Sequence, residues 1–317
     1  MEIKSLDSAG AFKSLELKSY PAQSGYYAFF SSWLGGVTTD YRLMSVPMDD
    51  HMVHRGDGIF EAFKSKDRKV YLLDEHLARL ARSADAISLK LPYAMDEIKK
   101  IILETLKISG KSETLVRLFV SRGPGGFTTN PYETVGSQLY VMITELKSLA
   151  AEKYQIGVKA NYSKIPVKEP WMAQVKSCNY LPNVMMKKEA LDTGFDFTIG
   201  VDSNGNIAEG STENLAIVDK NGVLTHPEFN SILRGTTMLR AFELANENGI
   251  KIQSAGFTKE ALSSAREIMM AGTTLDVLPV TEFADQKING GKPGEITLKL
   301  KALIDQDMKS GPKNTPY

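Results

Sequence analysis

Val175-Lys176-Ser177-Cys178-Asn179-Tyr180-Leu181-Pro182-Asn183-Val184-Met185-Met186-Lys187-Lys188-Glu189-Ala190 is the stretch around which the rest of the chain is read, with Lys176 at its centre. Val175, Cys178, Tyr180 and Leu181 give this lysine an apolar setting, which removes water and disfavours the charged ammonium. An amine whose pKa is lowered in this way is a nucleophile able to form an imine. The alternative is a surface lysine ahead of a helix, the commoner circumstance because buried lysines are rare. The choice between them depends on what the remainder of the chain places beside Lys176.

At 317 residues the chain exceeds what one core usually supports, so two domains of roughly 150 residues are expected. Hydrophobic residues make up 42%, enough for both cores. Basic and acidic residues balance at 38 each, so no global field favours nucleic acid or an anionic membrane. The single cysteine, Cys178, rules out an intramolecular disulfide and a multi-thiolate metal centre, and no metal site is expected. It reads as a small packing residue. No segment approaches the ~20 apolar residues of a membrane span and the first residues lack a signal-like apolar run, so the expected location is the cytoplasm.

Residues 1–40 read as an irregular N-terminal extension packed by Tyr26, Tyr27, Phe29, Phe30 and Trp33, residues 41–150 as a small α/β domain, and residues 151–317 as a large one. Gly56 and Gly58 around Asp57 mark a tight turn. Ile59 to Lys64 and Val70 to Leu73 form a hairpin, and a helix follows with Leu77, Leu80, Ala84 and Ile87 on one face. Arg79 falls at the edge of that face, as an exposed helical arginine or as a partly buried guanidinium able to grip a phosphate. Arg117 lies inside the apolar run Thr114–Ser121, where it requires an acidic partner or an anionic ligand such as a substrate carboxylate. In the second half, turns at Asn204-Gly205 and Asn221-Gly222 join short strands into hairpins, which indicates a mixed or largely antiparallel α/β sheet.

Two Gly-Thr-Thr segments bear on chemistry. Arg234-Gly235-Thr236-Thr237 opens a helix whose free N–H groups, dipole and hydroxyls suit a phosphate, although a threonine at a helix start is often only a cap. Gly272-Thr273-Thr274 offers further hydroxyls. An imine-forming lysine, an arginine and phosphate donors together match a phosphorylated aldehyde, pyridoxal phosphate. Glu209 then suits the pyridine nitrogen, which it keeps protonated as an electron sink.

The blocks Val175-Lys176 with Asn179-Tyr180, Ile207-Ala208-Glu209-Gly210-Ser211 with Asn214, and Ile232-Leu233-Arg234-Gly235-Thr236-Thr237 resemble the signatures of the class IV, fold-type IV pyridoxal phosphate aminotransferases. Gly56-Asp57-Gly58-Ile59-Phe60-Glu61 and Glu75-His76-Leu77-Ala78-Arg79-Leu80 are similar to the N-terminal blocks of the same family. The resemblance implies a two-domain α/β (α+β) fold, with a smaller N-terminal sandwich and a larger, barrel-like mixed-sheet domain, assembled as a homodimer. It implies Lys176 as Schiff-base residue and proton carrier, Glu209 at the pyridine nitrogen, and Arg79, Thr236, Thr237 with Thr273 or Thr274 at the phosphate. It also implies Tyr180 at the ring hydroxyl, one residue closer to the lysine than in branched-chain enzymes.

The substrates implied are an amino acid and a 2-oxo acid, with Phe60 and Arg117 as the substrate-side residues. Phe60-Glu61-Ala62-Phe63-Lys64 is closer to D-amino-acid transaminases than to the Phe-Glu-Gly-x-Arg of branched-chain enzymes. The Arg-x-His carboxylate trap of bacterial D-amino-acid enzymes is missing after Pro124. Met52 to Gly56, Asn179 to Val184 and Gly311 to Tyr317 look like plant-type D-amino-acid transaminases. D-amino-acid transamination is the expectation. The alternatives are a branched-chain L-amino-acid aminotransferase, an aminodeoxychorismate lyase and a non-catalytic pyridoxal phosphate-binding protein.

Overall fold

A computed structural model describes residues 3–202 and 204–317. Two sheets organise it. The first is fully antiparallel and has seven strands, in the order Asn314–Pro316, Lys69–Tyr71, Gly58–Lys66, Thr114–Ser121, Gln138–Thr144, Tyr26–Ser31, Gly36–Thr38. Successive side chains of its strands point to opposite faces, and one face buries Ala28, Ile59, Phe63, Val116, Leu118, Val120, Val141 and Ile143 under the helices Leu73–Ala86 and Met95–Ser109. Leu77 and Leu80 from the first helix and Ile98, Ile102 and Leu106 from the second complete that core.

The second sheet has nine strands and mixed pairing. Six of them, Asn214–Val218, Glu267–Gly272, Asp276–Phe283, Val158–Tyr162, Phe197–Val201 and Ile207–Gly210, follow one another round a ring. The ring closes where Asn214 pairs with Glu209. Ile199, Leu215, Ile217, Ile268, Met270, Leu278 and Val280 belong to one apolar cluster of this sheet. Ala216, Met269, Ala271 and Val277, one residue out of phase, pack instead against the helices Thr236–Glu247 and Glu295–Ser310. Closing a ring with alternate side chains inside removes the exposed sheet edges.

Three sequence expectations are corrected here. Residues 1–40 are not an irregular extension: Tyr26–Ser31 is a strand inside the first sheet, flanked by Gln138–Thr144 and Gly36–Thr38. Its aromatics hid the alternation because both faces are covered, Ala28 in the core and Phe29 stacked on Tyr140 at 6.0 Å between ring centroids. The C-terminal residues 314–316 leave the second half and pair with Lys69–Tyr71 of the first sheet. Arg117 is exposed, not embedded. It occupies the sheet face opposite the core, level with Ala62 and Met142, where its charge can be solvated.

Candidate active site

The two sheets meet at a cavity lined by Arg79, Lys176, Tyr180, Asn183, Glu209 to Asn214, Leu233, Gly235 to Met238 and Ala271 to Thr273. Its first wall starts from the strand Gly58–Lys66, whose neighbour Lys69–Tyr71 pairs only with its far end, at Ser65 and Lys66. The chain around Lys176 fills the edge that remains. Phe60 N donates to Lys176 O (2.9 Å), Cys178 N donates to Gly58 O (2.8 Å), and Lys176 N donates to Ser83 Oγ (3.2 Å). Gly56, at φ 67°, lets the chain turn into this strand, and Asn179 donates to its carbonyl at 3.1 Å.

The backbone of Lys176 is thus held at both its N–H and its C=O, and that of Cys178 beside it, while the Lys176 side chain turns into the cavity. Nζ lies 3.2 Å from the Tyr180 hydroxyl and 4.5 Å from the centroid of the Phe60 ring. Burial lowers its pKa to about 8, helped by the positive charge of Arg79. Burial pushes the Cys178 thiol up to about 12, so the thiol stays protonated and unreactive, as its reading as a packing residue requires.

A buried network fixes the second side. Arg79 Nε and Nη2 donate to the two oxygens of Glu61, each at 2.7 Å, and Nη1 donates to Arg234 O at 3.1 Å. Glu61 also contacts His76 Nδ1 at 2.6 Å, and His76 Nε2 lies 3.1 Å from Thr236 Oγ1. Burial by itself raises a carboxylate, but Arg79 and His76 outweigh it and hold Glu61 at about 2. Burial also lowers His76 below its ordinary value, so the ring is neutral. Nδ1–H then donates to Glu61, and Nε2 accepts from the Thr236 hydroxyl.

The ring sheet supplies the third side. Glu209 stands at the ring's closure, and its Oε2 accepts from Leu233 N at 3.1 Å and from Asn214 Nδ2 at 3.4 Å. Burial raises its pKa to about 7, against the pull of the Leu233 N–H and of Lys168 and Lys176. Asn214 also donates to Leu233 O at 2.9 Å, which ties the closure to the loop before the Thr236–Glu247 helix. Gly235 caps that helix, and a Cβ on it would stand 1.8 Å from Asn214 Oδ1. The first N–H groups of the helix, with Thr236 and Thr237, face the cavity.

Of the residues expected from the sequence, Lys176, Tyr180, Glu209, Arg79, Thr236, Thr237 and Thr273 line this one cavity, and Phe60 packs on both Lys176 and Tyr180. Thr274 is directed elsewhere, into a cavity with Lys64 and Asp276. Arg117 is absent from the site for the reason given above. Sequence reasoning missed Glu61, His76 and Asn214 as positioning residues, although all three stand inside the quoted blocks. Their buried polar character beside an arginine or a second acid was the available signal.

The family model described as amino-transferase class IV matches residues 58–283. The chain belongs to the class IV aminotransferases. This aminotransferase is 37% identical over 293 residues to the D-amino-acid transaminase, chloroplastic, of Arabidopsis thaliana, covering 90% of this chain and 78% of the relative. It is 33% identical over 270 residues to a putative branched-chain-amino-acid aminotransferase of Methanocaldococcus jannaschii, covering 85% and 93% respectively. The solved branched-chain amino acid aminotransferase of Escherichia coli superposes with a TM-score of 0.85 at 24% identity, covering 92% of this chain and 99% of that one, and shares its fold.

Class IV aminotransferases use pyridoxal 5'-phosphate, and the donors present here fit it. The cavity offers a buried amine for the aldehyde and a helix N-terminus for the phosphate. Glu209, a half-buried carboxylate with a raised pKa, has only neutral hydrogen-bond donors among the described residues, as a protonated ring nitrogen opposite it requires. No helix is long and apolar enough to cross a membrane among the described residues.

Proposed function

We propose that this aminotransferase exchanges an amino group between a D-amino acid and a 2-oxo acid. The 37% identity to a D-amino-acid transaminase over nine-tenths of the chain carries the choice of substrate. When bound, pyridoxal 5'-phosphate supplies the aldehyde that carries the amino group and a ring that draws electrons away from the substrate Cα.

The protein's own groups do the rest. Lys176 Nζ takes the proton from the substrate Cα and returns it on the other side of the exchange, a task suited to an amine with a pKa near 8. Tyr180, through its hydroxyl 3.2 Å away, fixes where Nζ points. Glu209 holds a proton at the ring nitrogen, and Arg79, Thr237 and the helix N–H groups hold the phosphate. Thr236 has its hydroxyl turned to His76, so its contribution to the phosphate comes from its backbone N–H. The sheets shield the reacting atoms from water.

Assembly as a homodimer belongs to this reading. Trp171, Leu181 and Val184, close to Lys176 in sequence, leave large apolar side chains exposed. A cytoplasmic location belongs to it as well. The second reading, a branched-chain L-amino-acid aminotransferase, is favoured by the relative at 33% identity and by the apolar Phe60 and Phe119 pair, 5.9 Å apart. Half-reactions with D- and L-alanine, D- and L-glutamate and L-leucine separate the two. D-alanine or D-glutamate is expected to convert fastest, and faster conversion of L-leucine than of any D-substrate overturns the first reading in favour of the second.

A further inference from the structure

Both substrates of an amino-group exchange carry a carboxylate on the reacting carbon, and the site must meet it with a cation or an array of donors. The cations around the cavity can be sorted by what already engages them. Arg79 is gripped by both oxygens of Glu61 and by Arg234 O. Lys176 is the reacting amine. Arg117 is exposed on the strand Thr114–Ser121 and does not line the cavity.

Lys168 is left. It is half-buried, and among the described residues its ammonium has no carboxylate at ion-pair distance. It lies over the Tyr180 ring, 4.5 Å from the centroid. The Lys176 Nζ lies 5.7 Å from the same centroid and is hydrogen-bonded to the Tyr180 hydroxyl. One tyrosine therefore spaces an unpaired cation from the reacting amine. Lys168 lines a cleft of 440 Å³ that includes Val201, Asn206 and Ile207, which leaves room for a small molecule beside it.

The loop that carries Lys168 is held in place. Glu189 accepts from Ser163 Oγ at 2.6 Å and from Lys164 N at 3.0 Å, and Pro166 and Pro170 stiffen the chain between. Val167 presses into the space where Gly200 has no side chain: a Cβ on Gly200 would stand 2.2 Å from Val167 Cγ1.

We propose that the Lys168 ammonium receives the α-carboxylate of the amino-acid and 2-oxo-acid substrates, with Tyr180 spacing it from Lys176. The inference rests on the amino-acid substrate class given above and supplies the carboxylate-binding group that the missing Arg-x-His trap leaves unassigned. Burial lowers the pKa of Lys168, as expected of a cation deprived of water and waiting for an anion, and substrate arrival relieves this.

The test compares wild type, Lys168→Met and Lys168→Arg, each loaded with cofactor. Calorimetric titration with propionate measures carboxylate binding without turnover, and half-reaction kinetics compare D-alanine with D-alaninamide, whose carboxylate is replaced by a neutral amide. Lys168→Met is expected to weaken propionate binding and raise the KM for D-alanine, each by about 30-fold, with substantial recovery in Lys168→Arg. The preference for D-alanine over D-alaninamide is expected to collapse in Lys168→Met. Propionate affinity and D-alanine KM within twofold of wild type in Lys168→Met overturn the inference, and so does an equal loss with D-alanine and D-alaninamide. If wild type reacts with no amino acid, the substrate reading fails on its own, and the propionate titration still decides the role of Lys168.

Discussion

Two carboxylates, one from each sheet, behave in opposite ways. Glu61, on the seven-stranded sheet, is fully enclosed yet held at about 2, because Arg79 and His76 answer both of its oxygens. Glu209, at the closure of the ring, is half-buried and raised to about 7 by its burial, because among the described residues only Leu233 N and Asn214 Nδ2 donate to it. Burial is common to both, and the presence or absence of a charged partner decides the outcome. The first wall is complete in itself. On the proposed function, a protonated ring nitrogen before Glu209 would complete the second.

The amine between the walls gives the largest expected effect. Lys176→Ala is expected to lower transamination by about 10⁴-fold, measured as kcat for D-alanine, because no other described base reaches the same place. Glu209→Gln is expected to reduce kcat by about 10²-fold with little loss of stability, since an amide accepts the Leu233 N–H but does not hold the ring nitrogen's proton. Glu61→Gln reverses the pattern. It leaves the buried Arg79 cation uncompensated and is expected to cost about 3–5 kcal/mol in denaturant unfolding. If Glu209→Gln proves the more destabilising of the two, the contrast between the walls is wrong.

Smaller effects sharpen the same contrast. Gly235→Ala drives a methyl into Asn214 Oδ1 and is expected to lower stability by about 1–3 kcal/mol and to weaken cofactor retention, read by thermal unfolding with and without pyridoxal phosphate. In cofactor-free protein, burial disfavours the charged form of Lys176, so its free amine accumulates as pH rises through about 8 and not 10.5. The rate of reaction with pyridoxal phosphate is therefore expected to climb to half its maximum near pH 8. A midpoint near 10 would indicate a solvated lysine.

The sequence made the chemistry more legible than the packing. Lys176, Glu209 and Thr237 could be named as candidates from side-chain type and motif spacing, and the fold brings all three to one cavity. Thr274 could not be told from Thr273 by type or spacing, since the turn after the strand Glu267–Gly272 sends one into the cavity and the other away from it. Arg117 misled because an apolar run was taken as buried on both faces, whereas the covering helices lie on one side only. The strand Tyr26–Ser31 was missed because aromatics on both faces concealed the period of two. Glu61 carried no visible role until Arg79 and His76, 18 and 15 residues away, were seen folded onto it.

The most direct test of the account is the visible spectrum of the purified protein supplied with pyridoxal phosphate, recorded before and after D-alanine is added. A yellow absorption band is expected that bleaches with the amino acid and returns with a 2-oxo acid. A protein that stays colourless, or whose band is unmoved by every amino acid offered, would contradict it.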